Sequence, residues 1–128
     1  MDKKYNRKKG NWAEDVAAYY LETHKGHKIL VRNYSDNTGE IDIISFVHNL
    51  YVFTEVKYRT DMKHGTPGQA VNIRKQQHII KTAILFMQKK KLRNKGMRFD
   101  VIEVVGRRGE KIYIKHIEGA FTSTGYYL

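Results

Sequence analysis

Hydrophobic and polar positions alternate along two neighbouring stretches of the chain, Gly39-Glu40-Ile41-Asp42-Ile43-Ile44-Ser45-Phe46 and Tyr51-Val52-Phe53-Thr54-Glu55-Val56-Lys57. Their Ile, Val, Phe, Tyr and Thr content predicts two β-strands. Strand side chains alternate between faces, so Glu40 and Asp42 share one face, and Glu55 and Lys57 share one face of the other strand. A two-residue loop at His48-Asn49 pairs Val47 with Leu50, sets Asp42 opposite Glu55 and sets Glu40 opposite Lys57. Any even-numbered loop keeps the two charged sets together, whereas an odd one separates them. Ile44, Phe46, Tyr51 and Phe53 then fall on the charged face and Ile41, Ile43, Val52 and Val56 on the other, as expected of central, partly buried strands.

Cross-strand pairing accounts for Glu40 with Lys57 but not for Asp42 facing Glu55. Opposed residues have Cβ atoms only ~4.5–5.5 Å apart, and like charges there destabilise the pair. Charges in a buried setting must be paired or bind metal. Two carboxylates with no His or Cys beside them suit a hard cation, Mg²⁺ or Mn²⁺, with waters and substrate phosphate completing the octahedron.

The remaining pattern supplies the rest of an α/β fold. Asn11 has the character of an N-cap, Glu14 three residues later completes a capping box, and Ala13, Val16, Ala17, Tyr20 and Leu21 repeat at helical spacing until Gly26. A strand is expected from Lys28 to Tyr34, a turn from Ser35 to Gly39, and a polar loop from Tyr58 to Gly68. A second helix is expected from about Gln69 to Lys91, with Ile73, Ile80, Ala83, Ile84 and Met87 on its apolar stripe. Met97 to Val105 reads as a strand, Gly106-Arg107-Arg108-Gly109 as a turn, and Glu110 to Ile117 as a returning strand. The tail, residues 118–128, has no assignment. The order predicts a mixed central sheet flanked by helices, with a parallel pairing and right-handed crossover through the second helix.

At 128 residues the chain fits a single domain, with residues 1–10 read as a basic, flexible arm. It contains no cysteine, which excludes disulfides, thiolate zinc sites and thiol nucleophiles. No leader-like or membrane-spanning apolar stretch is evident, so the expected compartment is the cytoplasm. Net charge is +11, from 24 Lys and Arg against 13 Asp and Glu. The excess is clustered at Lys3, Lys4, Arg7, Lys8 and Lys9, and at Lys89, Lys90, Lys91, Arg93, Lys95 and Arg98, which points to a polyanionic partner such as nucleic acid. Lys8, Lys9, Arg59, Lys89, Lys90, Lys91 and Arg93 are the candidate phosphate contacts. The histidines are scattered and read as surface residues, Gln76 as solvent-facing and Asp100 as structural. No Walker-type loop is present, so coupling to ATP is not indicated.

The order αβββαβ, an acid in the first helix, an acid in the second strand and Glu-x-Lys in the third resemble the PD-(D/E)XK nuclease fold of restriction enzymes and archaeal Holliday junction resolvases. Within it the chain is most similar to the small bacterial YraN family of endonucleases. The shared blocks are Glu14 followed by Ala17 to Leu21, Ile29 to Asn33, Gly39 to Asp42, Val52 to Arg59, Gly65 to Val71, and Arg98 to Val101. Ile41 stands where the superfamily's name has a proline, Ala13 replaces a common glycine, and Ser35 replaces a basic residue that often follows Arg-Asn. The resemblance implies a restriction-endonuclease-like core and a metal-dependent endonuclease hydrolysing DNA, with branched and single-stranded DNA among its substrates, acting as a homodimer. It implies that Asp42 and Glu55 hold the metal and that Lys57 holds the attacking water or the transition-state charge. Glu14 would be a further ligand, directly or through water, against the plainer reading of a helix-capping acid. The alternative from a different class is a nucleic-acid-binding module, for DNA or RNA, that keeps the fold without turnover. The complete acid, acid, lysine set favours the enzyme.

Overall fold

Period-two patterning becomes five strands in one mixed sheet, and the two helical stripes each cover one of its faces. In chain order the elements are α1 (Lys3–His24), β1 (Lys28–Asp36), β2 (Gly39–Val47), β3 (Leu50–Arg59), α2 (Ile73–Lys89), β4 (Gly96–Val105) and β5 (Tyr113–Phe121). This is a computed structural model that describes residues 3–61, 71–92 and 94–123, with side chains from Trp12 onward. The strands lie in sequence order across the sheet. All neighbours are antiparallel except β3 and β4, which are parallel and joined through α2. The mixed α/β architecture and its αβββαβ core are those expected.

The β2–β3 hairpin has the predicted register, with Val47 opposite Leu50 and Ile43 opposite Thr54. His48 and Asn49 both take positive φ, 47° and 64°, the double left-handed turn whose twist matches a two-residue hairpin. On one face α2 buries Ile79, Ile80, Ala83, Phe86 and Met87 against Ile41, Ile44, Phe53, Phe99 and Val101. On the other, α1 presents Ala13, Ala17, Ala18 and Leu21 to Ile43, Ile102 and Val104, and its small side chains let the helix lie close to the sheet. Gly39 opens β2 at φ +154°, where an added Cβ would lie 3.0 Å from Thr82 Oγ1 of α2. Glycine is therefore what lets α2 approach the start of β2.

Several expectations need correction. α1 begins at Lys3, so residues 3–10 are helical rather than a flexible arm, as their Lys and Arg content permits. Asn11 and Glu14 consequently lie inside the helix and cannot form its N-terminal capping box. α2 starts four residues later than expected, because Asn72 caps it by accepting the Lys75 N–H. Ile73 is consequently 65% exposed and lies off the apolar stripe. Ile41 packs with Ile44 on the α2 face rather than with Ile43. The β1–β2 ladder passes from Arg32 opposite Ile43 to Tyr34 opposite Ile41, and Asn33 between them has φ +55°, so β1 changes face there too, Arg32 meeting Asp15 of α1 and Tyr34 meeting Phe86 of α2. β5 starts later than expected and continues to Phe121, whose ring stacks on Phe99.

Two histidines are not at the surface: His27 is buried, and the His116 side chain is only 5% exposed. His116 Nε2 lies 2.8 Å from Asp100 Oδ2 and its Nδ1 lies 3.0 Å from the Tyr20 hydroxyl of α1. Arg98 donates two further bonds to Asp100, and the Gly119 N–H donates another. Burial alone would raise the Asp100 carboxyl, but these donors overcome it and hold the group at about 2. Asp100 is structural, as expected. Burial, with Arg98 nearby, pushes His27 down to about 4, and its Nδ1 lies 2.8 Å from Ser45 Oγ.

His27 is thus neutral when folded and binds a proton more readily when unfolded. Its stabilising effect is complete above its ordinary value of 6.5 and is lost as pH falls to about 4. We expect denaturation midpoints to drop across this window by roughly 2–3 kcal/mol of stability, and His27→Gln, which can keep the Ser45 contact, to flatten the drop. An unchanged slope in the variant would assign the pH dependence to other groups. Below pH 4 the loss should continue as Asp100 protonates.

Candidate active site

The β2–β3 ladder ends with Ile43 opposite Thr54, one step before Asp42 and Glu55. Beyond it, Asp42 turns its own side chain toward β3, and Oδ2 accepts the Val56 N–H at 2.8 Å. A side-chain oxygen thus takes over where a strand carbonyl would have continued the ladder, and the carboxylate is lodged in the fork between the strands. Burial raises the Asp42 carboxyl to about 7, with Glu55 and Glu14 pushing the same way and the Val56 N–H and Lys75 opposing.

Glu55 is 5% exposed and has two ammonium partners. Lys75 Nζ is 2.6 Å from Glu55 Oε1, and Lys57 Nζ is 3.7 Å from the same oxygen. Burial, reinforced by the charge of Lys75, lowers Lys57. For Lys75 burial acts in the lowering direction but is outweighed, chiefly by the bond to Glu55, and the group is raised. Glu40, Asp42 and Glu55 share a cleft of about 370 Å³ with Asn72, Arg74, Lys75, His78 and Ile79. One wall is therefore carboxylate, and the other is the first turns of α2, whose end carries positive partial charge.

Glu14 approaches from the opposite helix. Burial raises its carboxyl, Arg32 and a hydrogen bond with Asn33 oppose this, and Glu55 and Asp15 push it further up. Its Oε1 is buried without a hydrogen-bond partner.

Asp42, Glu55 and Lys57 are thus brought together as the sequence suggested, with Glu14 in electrostatic reach. Glu40 lines the cleft. Gln76 instead bonds back to the Val71 carbonyl at 3.0 Å. Among the candidate phosphate contacts, Arg59 is committed to Glu103, Nε to Oε2 at 2.8 Å, with only 20% of its side chain exposed. Lys89, Lys90 and Lys91 are exposed at the far end of α2, with Lys89 Nζ 3.9 Å from Asp36. Along the helix axis Lys89 is on the order of 21 Å from Lys75, so these lysines lie outside the cleft. The side chains of Lys8 and Lys9, and all of Arg93, lie outside the described residues. Arg98 belongs to the Asp100 network rather than to a basic surface. The sequence reading missed Lys75, Arg74 and His78. Recognising Asn72 as an N-cap would have placed Lys75 at the third helical position, in the first turn of α2.

The donor set fits a hard divalent cation. It offers oxygen only, from the buried carboxylate of Glu55 and the part-buried one of Asp42 on adjacent strands, beside a cleft with room for water. An ion such as Mg²⁺ is held by one or two carboxylates while keeping several waters. Among the described residues no three His, Cys, Asp or Glu side chains are grouped to hold one ion. Glu14, with its unpartnered oxygen, is a neighbour of the pair on the α1 side.

Residues 13–104 match the family described as Uncharacterised protein family UPF0102. The chain belongs to that family. Similar UPF0102 proteins include one from Clostridium tetani, 45% identical over 118 residues covering 91% of this chain and 96% of that protein. Another, from Syntrophotalea carbinolica, is 40% identical over 117 residues, covering 91% and 94%. A third, from Caldanaerobacter subterraneus, is 42% identical over 123 residues, covering 93% and 99%. The UPF0102 match spans Glu14, Asp42, Glu55, Lys57 and Lys75, so the whole cleft lies within it, whereas β5 lies outside. No helix among the described residues is long and apolar enough to cross a membrane.

A carboxyl raised by folding stabilises the fold when protonated, and this contribution is lost as pH rises through about 7. Asp42→Asn can keep the Val56 hydrogen bond while removing the charge. Without divalent cation, we expect it to gain roughly 1–3 kcal/mol over the parent at pH 8, and the gain to fade below pH 5. Thermal denaturation at the two pH values checks this, and a variant less stable than the parent at pH 8 would contradict it.

Proposed function

We propose that this UPF0102 protein is a metal-dependent endonuclease hydrolysing DNA phosphodiester bonds, with branched and single-stranded DNA the substrates to try first. The observation that carries the reading is the meeting of Asp42 and Glu55 in the cleft at the end of the β2–β3 ladder, with the Lys57 ammonium beside Glu55. The resemblance to PD-(D/E)XK nucleases gives these residues their roles. The chain's +11 charge supports a polyanionic substrate.

Asp42 and Glu55 would hold Mg²⁺ or Mn²⁺. When bound, such an ion polarises a phosphoryl oxygen and lowers the pKa of its water. The remaining work belongs to the chain. The Val56 N–H fixes the orientation of Asp42, and burial keeps bulk water from weakening the local electrostatics. Lys57 supplies a positive charge where negative charge accumulates on the phosphate. Arg74, His78 and the start of α2 face the same cleft and offer donors to the backbone of the nucleic acid.

The test is a panel of single-stranded, duplex, flap and four-way DNA, and RNA, with and without Mn²⁺. We expect Asp42→Asn and Lys57→Ala each to lower cleavage by roughly a hundredfold or more while leaving binding of the same nucleic acids largely intact. Cleavage at parental rates in both variants would sink the assignment. Salt-sensitive binding with no metal-dependent cleavage of any substrate would establish instead a binding module on this fold.

A further inference from the structure

We infer that Lys75 is a resident stand-in for the divalent cation, exchanging Glu55 for substrate phosphate when the cation arrives. This rests on the proposed reading of Asp42 and Glu55 as the cation-binding pair.

The starting observation is a conflict over one atom. Glu55 Oε1 receives Lys75 Nζ at 2.6 Å and Lys57 Nζ at 3.7 Å, and it belongs to a carboxylate whose oxygens a cation would also need. The carboxylate carries a single negative charge, so the ammonium held closest to it, that of Lys75, competes electrostatically with an arriving cation. The two lysines differ in how firmly they are placed. Lys57 stands on β3, two residues from Glu55, where the strand is paired with Glu103 of β4, and 28% of its side chain is exposed. Lys75 stands in the first turn of α2, positioned by the Asn72 cap, with 43% exposed. Its long stem can swing away from the sheet without disturbing a strand. The place it would swing into is the cleft lined by Arg74 and His78, the wall on which a phosphate would rest.

Lys75 therefore has two partners at different times. Without the cation, its ammonium offsets the repulsion between Glu55 and Asp42. With the cation in place, Glu55 no longer needs it, and it becomes a free donor on the anion-facing wall. Two consequences separate this from a merely structural ion pair. Removing the charge of Lys75 should tighten cation binding, because a competitor is gone. Cation and nucleic acid should also reinforce each other, by equal factors in the two directions, through Lys75.

The experiment measures Mn²⁺ affinity by titration calorimetry for the parent, Lys75→Met and Lys75→Arg. It also measures the affinity of a fluorescent single-stranded oligonucleotide with and without Ca²⁺, a poor support for cleavage. We expect Lys75→Met to bind Mn²⁺ roughly tenfold more tightly than the parent and Lys75→Arg, which keeps the charge, to stay near it. We expect the strengthening of oligonucleotide binding by Ca²⁺ to shrink severalfold in Lys75→Met. Equal Mn²⁺ affinity in the parent and Lys75→Met overturns the inference while leaving the cation-binding reading standing. No Mn²⁺ binding by the parent overturns both. If Lys75→Met does not fold, Lys75→Gln is read by the same criteria, and in the parent alone a lack of any Ca²⁺ effect on oligonucleotide binding overturns the exchange.

Discussion

The arrangement of the cleft depends on a repulsion that the fold contains rather than avoids, the placing of part-buried Asp42 beside buried Glu55. Two carboxylates taken out of water near one another disfavour each other's charge, and nearby groups answer that cost. The Val56 N–H holds one carboxylate, and Lys75 and Lys57 attend the other. The fork between β2 and β3 exists because the Asp42 side chain stands in for ladder bonding. The cap at Asn72 matters because it sets where along α2 the compensating lysine falls. Gly39 matters because it lets α2 come near enough to β2 for that lysine to reach. Removing any one of these would leave the carboxylates in place and their compensation altered.

The two helices serve this centre differently. α1 meets the sheet through alanines, which brings its backbone close and carries Glu14 to the edge of the carboxylate pair as a third acid with an unpartnered oxygen. α2 meets the other face through larger side chains and turns its capped, positively polarised start, with Arg74 and Lys75, toward the cleft. The chain is strongly basic overall, yet four of its thirteen acids, Glu14, Glu40, Asp42 and Glu55, converge here opposite Arg74 and Lys75. That sorting is what phosphoryl chemistry with a bound cation uses, and a solubilising surface would have no use for it.

The hairpin was legible from the sequence because one even-numbered loop fixes its whole register, and Asp42 and Glu55 followed from it. Ile41 was not legible, because strict alternation places it beside Ile43, whereas the two pack on opposite faces, next to the left-handed Asn33 of the neighbouring strand. The start of α1 was misread because Asn11 looks like a cap, whereas the basic residues before it are also good helix formers. Lys75 was missed for a related reason: with the helix taken to start at Gln69, nothing set it in the first turn. The network around Asp100 draws on Tyr20, Arg98, His116 and Gly119, residues from α1, β4 and β5 that no local pattern brings together. Local periodicity thus revealed what two adjacent strands do to each other, and it failed where a third element decides.

Two aspartates of the sheet, Asp100 fully buried and Asp42 part-buried, make the final contrast. Asp100 receives bonds from Arg98, His116 and the Gly119 N–H and is held at about 2. Asp42 receives the Val56 N–H, faces another carboxylate and is pushed up to about 7. The same side chain in the same sheet is therefore saturated in one place and left short of donors in another. A fold that can assemble the donors around Asp100 has the means to satisfy a buried carboxylate. Leaving Asp42 under-satisfied costs stability that packing elsewhere must offset, and strongly perturbed groups in clefts are where function concentrates. On the proposed reading, the missing partners of Asp42 would come from outside the chain, from a cation and the substrate it brings.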